Sequence, residues 1–169
     1  MKRTISCFLM FLFLAVLVLS YPVQIALAEP RGTLGCGGAH FFRLGGSEFS
    51  NTLYRFRNFN SDRTLTITEI TVFATDGTVL ATFSPGSFPT GFDDVLGPNQ
   101  TTGFDTVNVL GSNPPGPPAP GLLQTIVKWE GGGNALYGVT VRIDRARDPA
   151  TGAIGATRGR DHTDCLVLK

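Results

Sequence analysis

Thr64-Leu65-Thr66-Ile67-Thr68-Glu69-Ile70-Thr71-Val72-Phe73-Ala74-Thr75, then Asp76-Gly77, then Thr78-Val79-Leu80-Ala81-Thr82-Phe83, is the stretch that decides the fold class. The first run is rich in β-branched residues, which pack well on a pleated surface and lose side-chain freedom in a helix. Its apolar residues alternate, first Leu65 and Ile67, then Ile70, Val72 and Ala74. The phase slips by one near Glu69, which predicts a β-bulge there. Asp-Gly is a two-residue hairpin signal, because both turn positions need backbone conformations that Asp and Gly tolerate. The stretch therefore reads as an antiparallel hairpin with one bulged strand.

Working outward, the same grammar recurs. Ala39–Leu44 reads as a first strand. Asn51–Phe59 reads as a second, with Tyr54 and Phe56 on one face and Arg55 and Arg57 on the other. Thr101–Leu110 and Leu122–Glu130 follow; in the latter Leu123, Thr125, Val127 and Trp129 share a face. Ala135–Asp144 puts Tyr137, Val139, Val141 and Ile143 together, and the two aromatics, Trp129 and Tyr137, are expected in the core. Ala153–Arg158 and Thr163–Leu168 complete the set. Turn residues separate the runs, as in Gly131-Gly132-Gly133-Asn134 and Asp148-Pro149, and no segment after the leader keeps a helical apolar stripe. Ser84–Asn99 and the proline-rich stretch 111–121 read as loops, the latter within one domain. Short strands at this spacing predict an all-β chain folded as a single antiparallel β-sandwich, immunoglobulin-like or jelly-roll-like.

The chain opens with Lys2-Arg3, an apolar run from Phe8 to Leu19, and Ala26-Leu27-Ala28 before Glu29-Pro30. A short positive region, an apolar core and small residues three apart are the features of a cleaved secretory signal peptide, so residues 1–28 are expected to be removed. The apolar run is shorter than the roughly 20 residues of a membrane span. Residues 29–169 then form the mature domain, exported to the periplasm or secreted, with no membrane span. Of 14 Lys and Arg against 13 Asp and Glu in the whole chain, removal of Lys2 and Arg3 leaves 12 against 13, a net charge of −1. That balance gives no long-range attraction for nucleic acid.

Of the three cysteines in the chain, only Cys36 and Cys165 lie outside the leader, and in an oxidising compartment such a pair is expected to form a disulfide. Beside them stand the two histidines, in Cys36-Gly-Gly-Ala-His40 and His162-Thr-Asp-Cys165. Two thiolates and two imidazoles can build a tetrahedral zinc or a copper site, so Cys36, His40, His162 and Cys165 form the alternative reading, a metal centre. The disulfide reading needs no cofactor. Phe83, Phe88 and Phe92 flank or sit in a Gly/Pro-rich loop and are the candidates for an exposed apolar binding patch. No G-x-S-x-G, H-E-x-x-H, phosphate-cradling loop or dinucleotide fingerprint occurs, and no catalytic residue is assigned. A small hydrolase with a site outside these motifs is the third and least supported reading.

Leu53-Tyr54-Arg55-Phe56-Arg57-Asn58, then Thr64-Leu65-Thr66-Ile67-Thr68 and Thr75-Asp76-Gly77, resembles small bacterial exported β-sandwich proteins of unknown function. So does Leu96-Gly97-Pro98-Asn99-Gln100-Thr101-Thr102-Gly103-Phe104 with Ile126-Val127-Lys128-Trp129. The layout is also similar to β-sandwiches of the sensory-rhodopsin-transducer type, which implies ligand or sugar binding and carries over no active-site residue. Together these readings give a non-enzymatic exported protein of the bacterial envelope that binds a protein or a glycan, or serves a structural role. Its open sheet edges are able to pair between copies.

Overall fold

The computed structural model describes residues 31–43, 46–111, 121–132 and 136–168. The leader, Leu44 and most of the proline-rich stretch lie outside the described residues. In chain order the elements are β1 (Arg31–Ala39), β2 (Phe41–Arg43), β3 (Glu48–Asn58), β4 (Leu65–Ala74), β5 (Val79–Phe83), β6 (Val95–Leu96) and β7 (Thr101–Asp105). Then come α1 (Thr106–Leu110), β8 (Leu122–Gly131), β9 (Leu136–Arg147), β10 (Ile154–Asp164) and β11 (Leu166–Val167). The fold is all-β: two antiparallel sheets packed face to face.

One sheet has six strands in the order β11-β1-β8-β4-β5, with β6 also paired to β4. The other has five, ordered β10-β9-β3-β2, with β7 also paired to β3. The hairpin that decided the class is β4–β5, closed by Ala74 N–H donating to the Thr78 carbonyl at 2.8 Å. The expected bulge is present: Ile67 faces Trp129 and Glu69 faces Lys128, so two steps on β4 match one on β8. This slip lets Leu65 and Ile67 share the core with Ile70 and Val72 despite their different phase.

The core lies between the sheets. Leu34 and Cys36 of β1, Leu123, Val127 and Trp129 of β8, and Leu65, Ile67, Ile70 and Val72 of β4 line one side. Tyr54 and Phe56 of β3, Phe104 of β7 and Leu136 of β9 line the other. Tyr54 stacks on Phe104 with centroids 4.8 Å apart, and Phe56 and Phe92 close around Phe104 at 6.4 and 6.3 Å.

Strand β1 escaped the sequence reading because four of its nine residues are glycine. Three of them, Gly32, Gly35 and Gly38, are slots for large side chains. A Cβ on Gly32 would lie 2.2 Å from the Trp129 ring, and one on Gly38 would lie 2.1 Å from the Tyr54 hydroxyl. Thr101–Leu110 is a strand only to Asp105. The Asp105 carboxylate caps the Val107 N–H at 2.9 Å, starting one helical turn that stops at Gly111, where φ is 79°. Asp followed by a short apolar stretch and a closing Gly is a cap-to-cap helix pattern, and local capping overrides the strand propensity of Thr and Val.

Two strands change sheets. The chain passes from β1 to β2 at His40, whose N–H donates to the Gly121 carbonyl at 2.9 Å. It passes from β10 to β11 at Cys165, whose N–H donates to the Gly138 carbonyl at 2.8 Å. The Cys36–Cys165 disulfide, with Cα atoms 4.5 Å apart, ties β1 to this second corner. Gly138 of β9 makes room for it, since a Cβ there would meet the Cys165 sulfur at 2.8 Å. The core face of β9 is therefore Leu136, Gly138 and Thr140, all buried. Tyr137, expected inside, points outward and is 39% exposed.

The bridge spans 129 residues of chain, and closing a loop that long constrains the unfolded state by about 5 kcal/mol. The Cys36→Ser/Cys165→Ser double variant is expected to lose about that much stability in urea unfolding. Gly103→Ala is expected to cost about 3 kcal/mol, because its Cβ would sit 2.1 Å from the Tyr54 carbonyl oxygen, a backbone atom that cannot swing away.

Candidate functional site

Alternate residues of a strand face opposite sides of a sheet, so the inward turn of Tyr54 and Phe56 sends Arg55, Arg57 and, just past the strand, Phe59 outward. The same rule turns Tyr137 and Val139 outward once Leu136 and Gly138 are inside. Register then sets the pairs. Arg57 lies between Tyr137 of β9 and Thr101 of β7, and Arg55 lies between Val139 and Gly103. Gly103 presents no side chain, and the Arg55 stem crosses it, 2.9 Å from where a Cβ would be.

The result is a compact aromatic and cationic surface on the outer face of the five-stranded sheet. The Phe59 ring is 53% exposed and meets Tyr137 at 5.6 Å with an interplanar angle of 64°. The Arg57 guanidinium sits 4.8 Å above the Phe59 ring. The Tyr137 hydroxyl donates to the Asp164 carboxylate of β10, and that hydrogen bond raises its pKa above the ordinary tyrosine value. Arg55 and Arg57 are both exposed, and among the described residues neither has a carboxylate partner. On the same outer face Arg145 lies 3.8 Å from Asp105, while the Arg142–Asp144 pair at 3.1 Å falls on the Leu136–Thr140 side of β9.

The opposite end of the same face is closed. Phe49 and Asn51 are fully buried there, with His40 edge-on to Phe49 at 5.1 Å. His40 Nδ1 pairs with Thr106 Oγ1 at 3.0 Å, and Thr106 Oγ1 also accepts the Thr52 N–H at 3.1 Å. Asn51 Nδ2 donates to Asp105 Oδ1 at 2.7 Å. A hydroxyl, an imidazole and a carboxylate thus stand together, but His40 and Thr106 are both fully buried, so no substrate reaches them. Burial pushes the His40 pKa below 6.5, while the Asp105 charge and the Gly111 carbonyl pull it back up. This cluster is a pinned corner of the sandwich.

The metal reading needs correction. Both sulfurs are consumed by the disulfide, His40 is sealed at the β1–β2 corner, and His162 is exposed on β10 opposite Val141. Among the described residues no group of three or more His, Cys, Asp or Glu side chains is placed to hold a metal ion. Phe83, Phe88 and Phe92 do not form an exposed patch. All three are half-buried and pack on the core: Phe88 stacks on Phe92 at 4.9 Å, and Phe83 approaches Phe104 at 6.4 Å. The loop folds back over the sheet because three large rings in water cost more than ordering it. Nothing in the described residues points to enzymatic chemistry.

No protein family matches the chain, and no curated protein matches it. Among solved structures, the crystal structure of Thermotoga maritima 1070 is similar with a TM-score of 0.41 and 8% sequence identity, over 83% of this chain and 95% of that one. A likeness at that level identifies no family.

The depressed His40 pKa has a sign. The unfolded chain takes up a proton near pH 6.5 and the folded protein only at lower pH, so acid favours unfolding. Stability is expected to be full above that pH and to decline as pH falls from there to the folded value. Urea unfolding at pH 7.5 and pH 5 measures the loss, and His40→Gln removes its share of the slope.

Proposed function

We propose that this chain is an exported, non-enzymatic binding protein of the bacterial envelope, and that its binding face is the outer surface around Arg55, Arg57, Phe59 and Tyr137. The observation that carries the reading is the pairing of two unneutralised guanidiniums with two exposed rings on a rigid sheet. Exposed aromatic and arginine side chains are the types that dominate binding energy at interfaces. Nothing in the packing of the domain requires them there. The interior is filled by Tyr54 and Phe56 from β3 itself, with Phe104 from the neighbouring β7.

Two further features support export. The leader, residues 1–28, has the features of a cleaved signal peptide. The Cys36–Cys165 disulfide fits an oxidising compartment, where such bonds persist. Whether the protein stays in the periplasm or leaves the cell follows from fractionation.

Two measurements test the proposal. The intact mass of the exported protein is expected to match a chain beginning at Glu29 and to be about two mass units lighter than its reduced form, as one disulfide requires. In the second, the purified protein is mixed with insoluble envelope material. Phe59→Ala/Tyr137→Ala is expected to weaken retention by about tenfold while the thermal midpoint stays within a few degrees. Unchanged retention would remove this face from the reading.

A further inference from the structure

We infer that the partner bound at this face is an acidic peptide segment in extended conformation, with carboxylates at alternate positions and an apolar residue after them. The inference rests on the proposed binding face and names its ligand. Arg55, Arg57 and Phe59 are successive outward residues, two apart in sequence, so their Cα atoms repeat every ~6.7 Å. An extended peptide laid along β3 has the same two-residue repeat. Acidic side chains at positions i and i+2 therefore fall on Arg55 and Arg57 together, and the side chain at i+4 falls on the Phe59–Tyr137 corner.

Charge selects the ligand's sign. Arg55 and Arg57 have no carboxylate partner among the described residues, and Asp164 on this surface accepts from Tyr137. Guanidinium presents a planar fork that matches a carboxylate in a two-point contact. Gly103 offers no side chain, and the Arg55 stem lies across the space that one would fill. At the far end the Phe59 ring, 53% exposed, offers the larger apolar contact after the charges along β3, whereas Leu53 before them is half-buried between Val141 and Asp105.

The test uses the full exported protein with its disulfide intact and fluorescence anisotropy with three probes. One peptide repeats Glu-Thr-Glu-Thr-Phe. The second has the same composition with the acids adjacent, Glu-Glu-Thr-Thr-Phe. The third probe is an oligogalacturonate, an acidic glycan. The alternating peptide is expected to bind at least about fivefold more tightly than the adjacent one. Arg55→Gln/Arg57→Gln is expected to weaken its binding roughly tenfold, as two exposed ion pairs permit, and raising salt from 50 to 300 mM is expected to weaken it as well. Equal binding of both peptides would overturn the register argument. Binding of the glycan alone, lost in the arginine variant, would overturn the peptide and leave the binding face standing. Peptide or glycan binding that neither the arginine nor the ring substitutions change would overturn both.

Discussion

The Cys36–Cys165 bond holds the first strand of one sheet against the point where the chain leaves the other, and the orientation of the outer face follows from where it sits. The sulfur of Cys165 occupies the space over Gly138, the residue of β9 that offers no side chain. Gly138 must then face inward, and with it Leu136 and Thr140. A strand has only two faces, so Tyr137 and Val139 go outward. A one-residue slip would put Tyr137 under the disulfide and Gly138 in water. The covalent tie thus contributes more than loop-closure entropy. It selects the register that brings Tyr137 level with Arg57.

Glycine does the same service elsewhere in the core. Gly32 lies under Trp129, Gly38 under the Tyr54 hydroxyl, and Gly103 against the Tyr54 carbonyl. Each removes a side chain where a large ring, or the backbone of the next strand, needs the volume. Tyr54 is the most constrained group: its hydroxyl is buried without a partner in good geometry, and burial pushes its pKa up to about 12. It therefore stays neutral over the whole physiological range, and its ring is held by stacking on Phe104 and Phe56. A core built from rings in glycine slots tolerates little change of volume at either partner.

This division of labour explains which parts of the structure could be read in advance. The β4–β5 hairpin, the bulge before Glu69, the inward face of β8 and the alternation of β3 all rest on local pattern, and local pattern is what a sequence displays. Strand β1 was missed because glycines chosen to accommodate distant rings look like turn residues when those rings are not known. The inward face of β9 was misjudged because Tyr137 is more apolar than Gly138, and only the position of the disulfide reverses that preference. Helix α1 was legible in principle from Asp105 and Gly111, but the β-branched residues between them masked it. For the candidate site, the outward set Arg55 and Arg57 was visible in the alternation. Its ring partners were not, since Phe59 and Tyr137 are far apart in sequence and meet only through the β3–β9 register.

The outer face of the five-stranded sheet carries polar and aromatic groups at both ends, and the two ends are treated in opposite ways. At the β2 end, Asn51 bonds Asp105 and His40 bonds Thr106, and all but the half-buried Asp105 are fully buried. At the other end the charges of Arg55 and Arg57 are left to solvent and the rings of Phe59 and Tyr137 are only partly covered. Stability alone would favour the first arrangement at both ends, since an exposed ring forgoes the gain of burial, ~25 cal/mol for each square ångström left wet. On the same face Arg145 has Asp105 at 3.8 Å, whereas among the described residues no carboxylate is placed beside Arg55 or Arg57. Strand β3 is paired on both sides from Leu53 to Arg57, so the backbone beneath the two arginines is held rigid. A rigid backbone presenting unsatisfied charge next to exposed rings loses little order on binding. That combination suits the docking face proposed for this sheet.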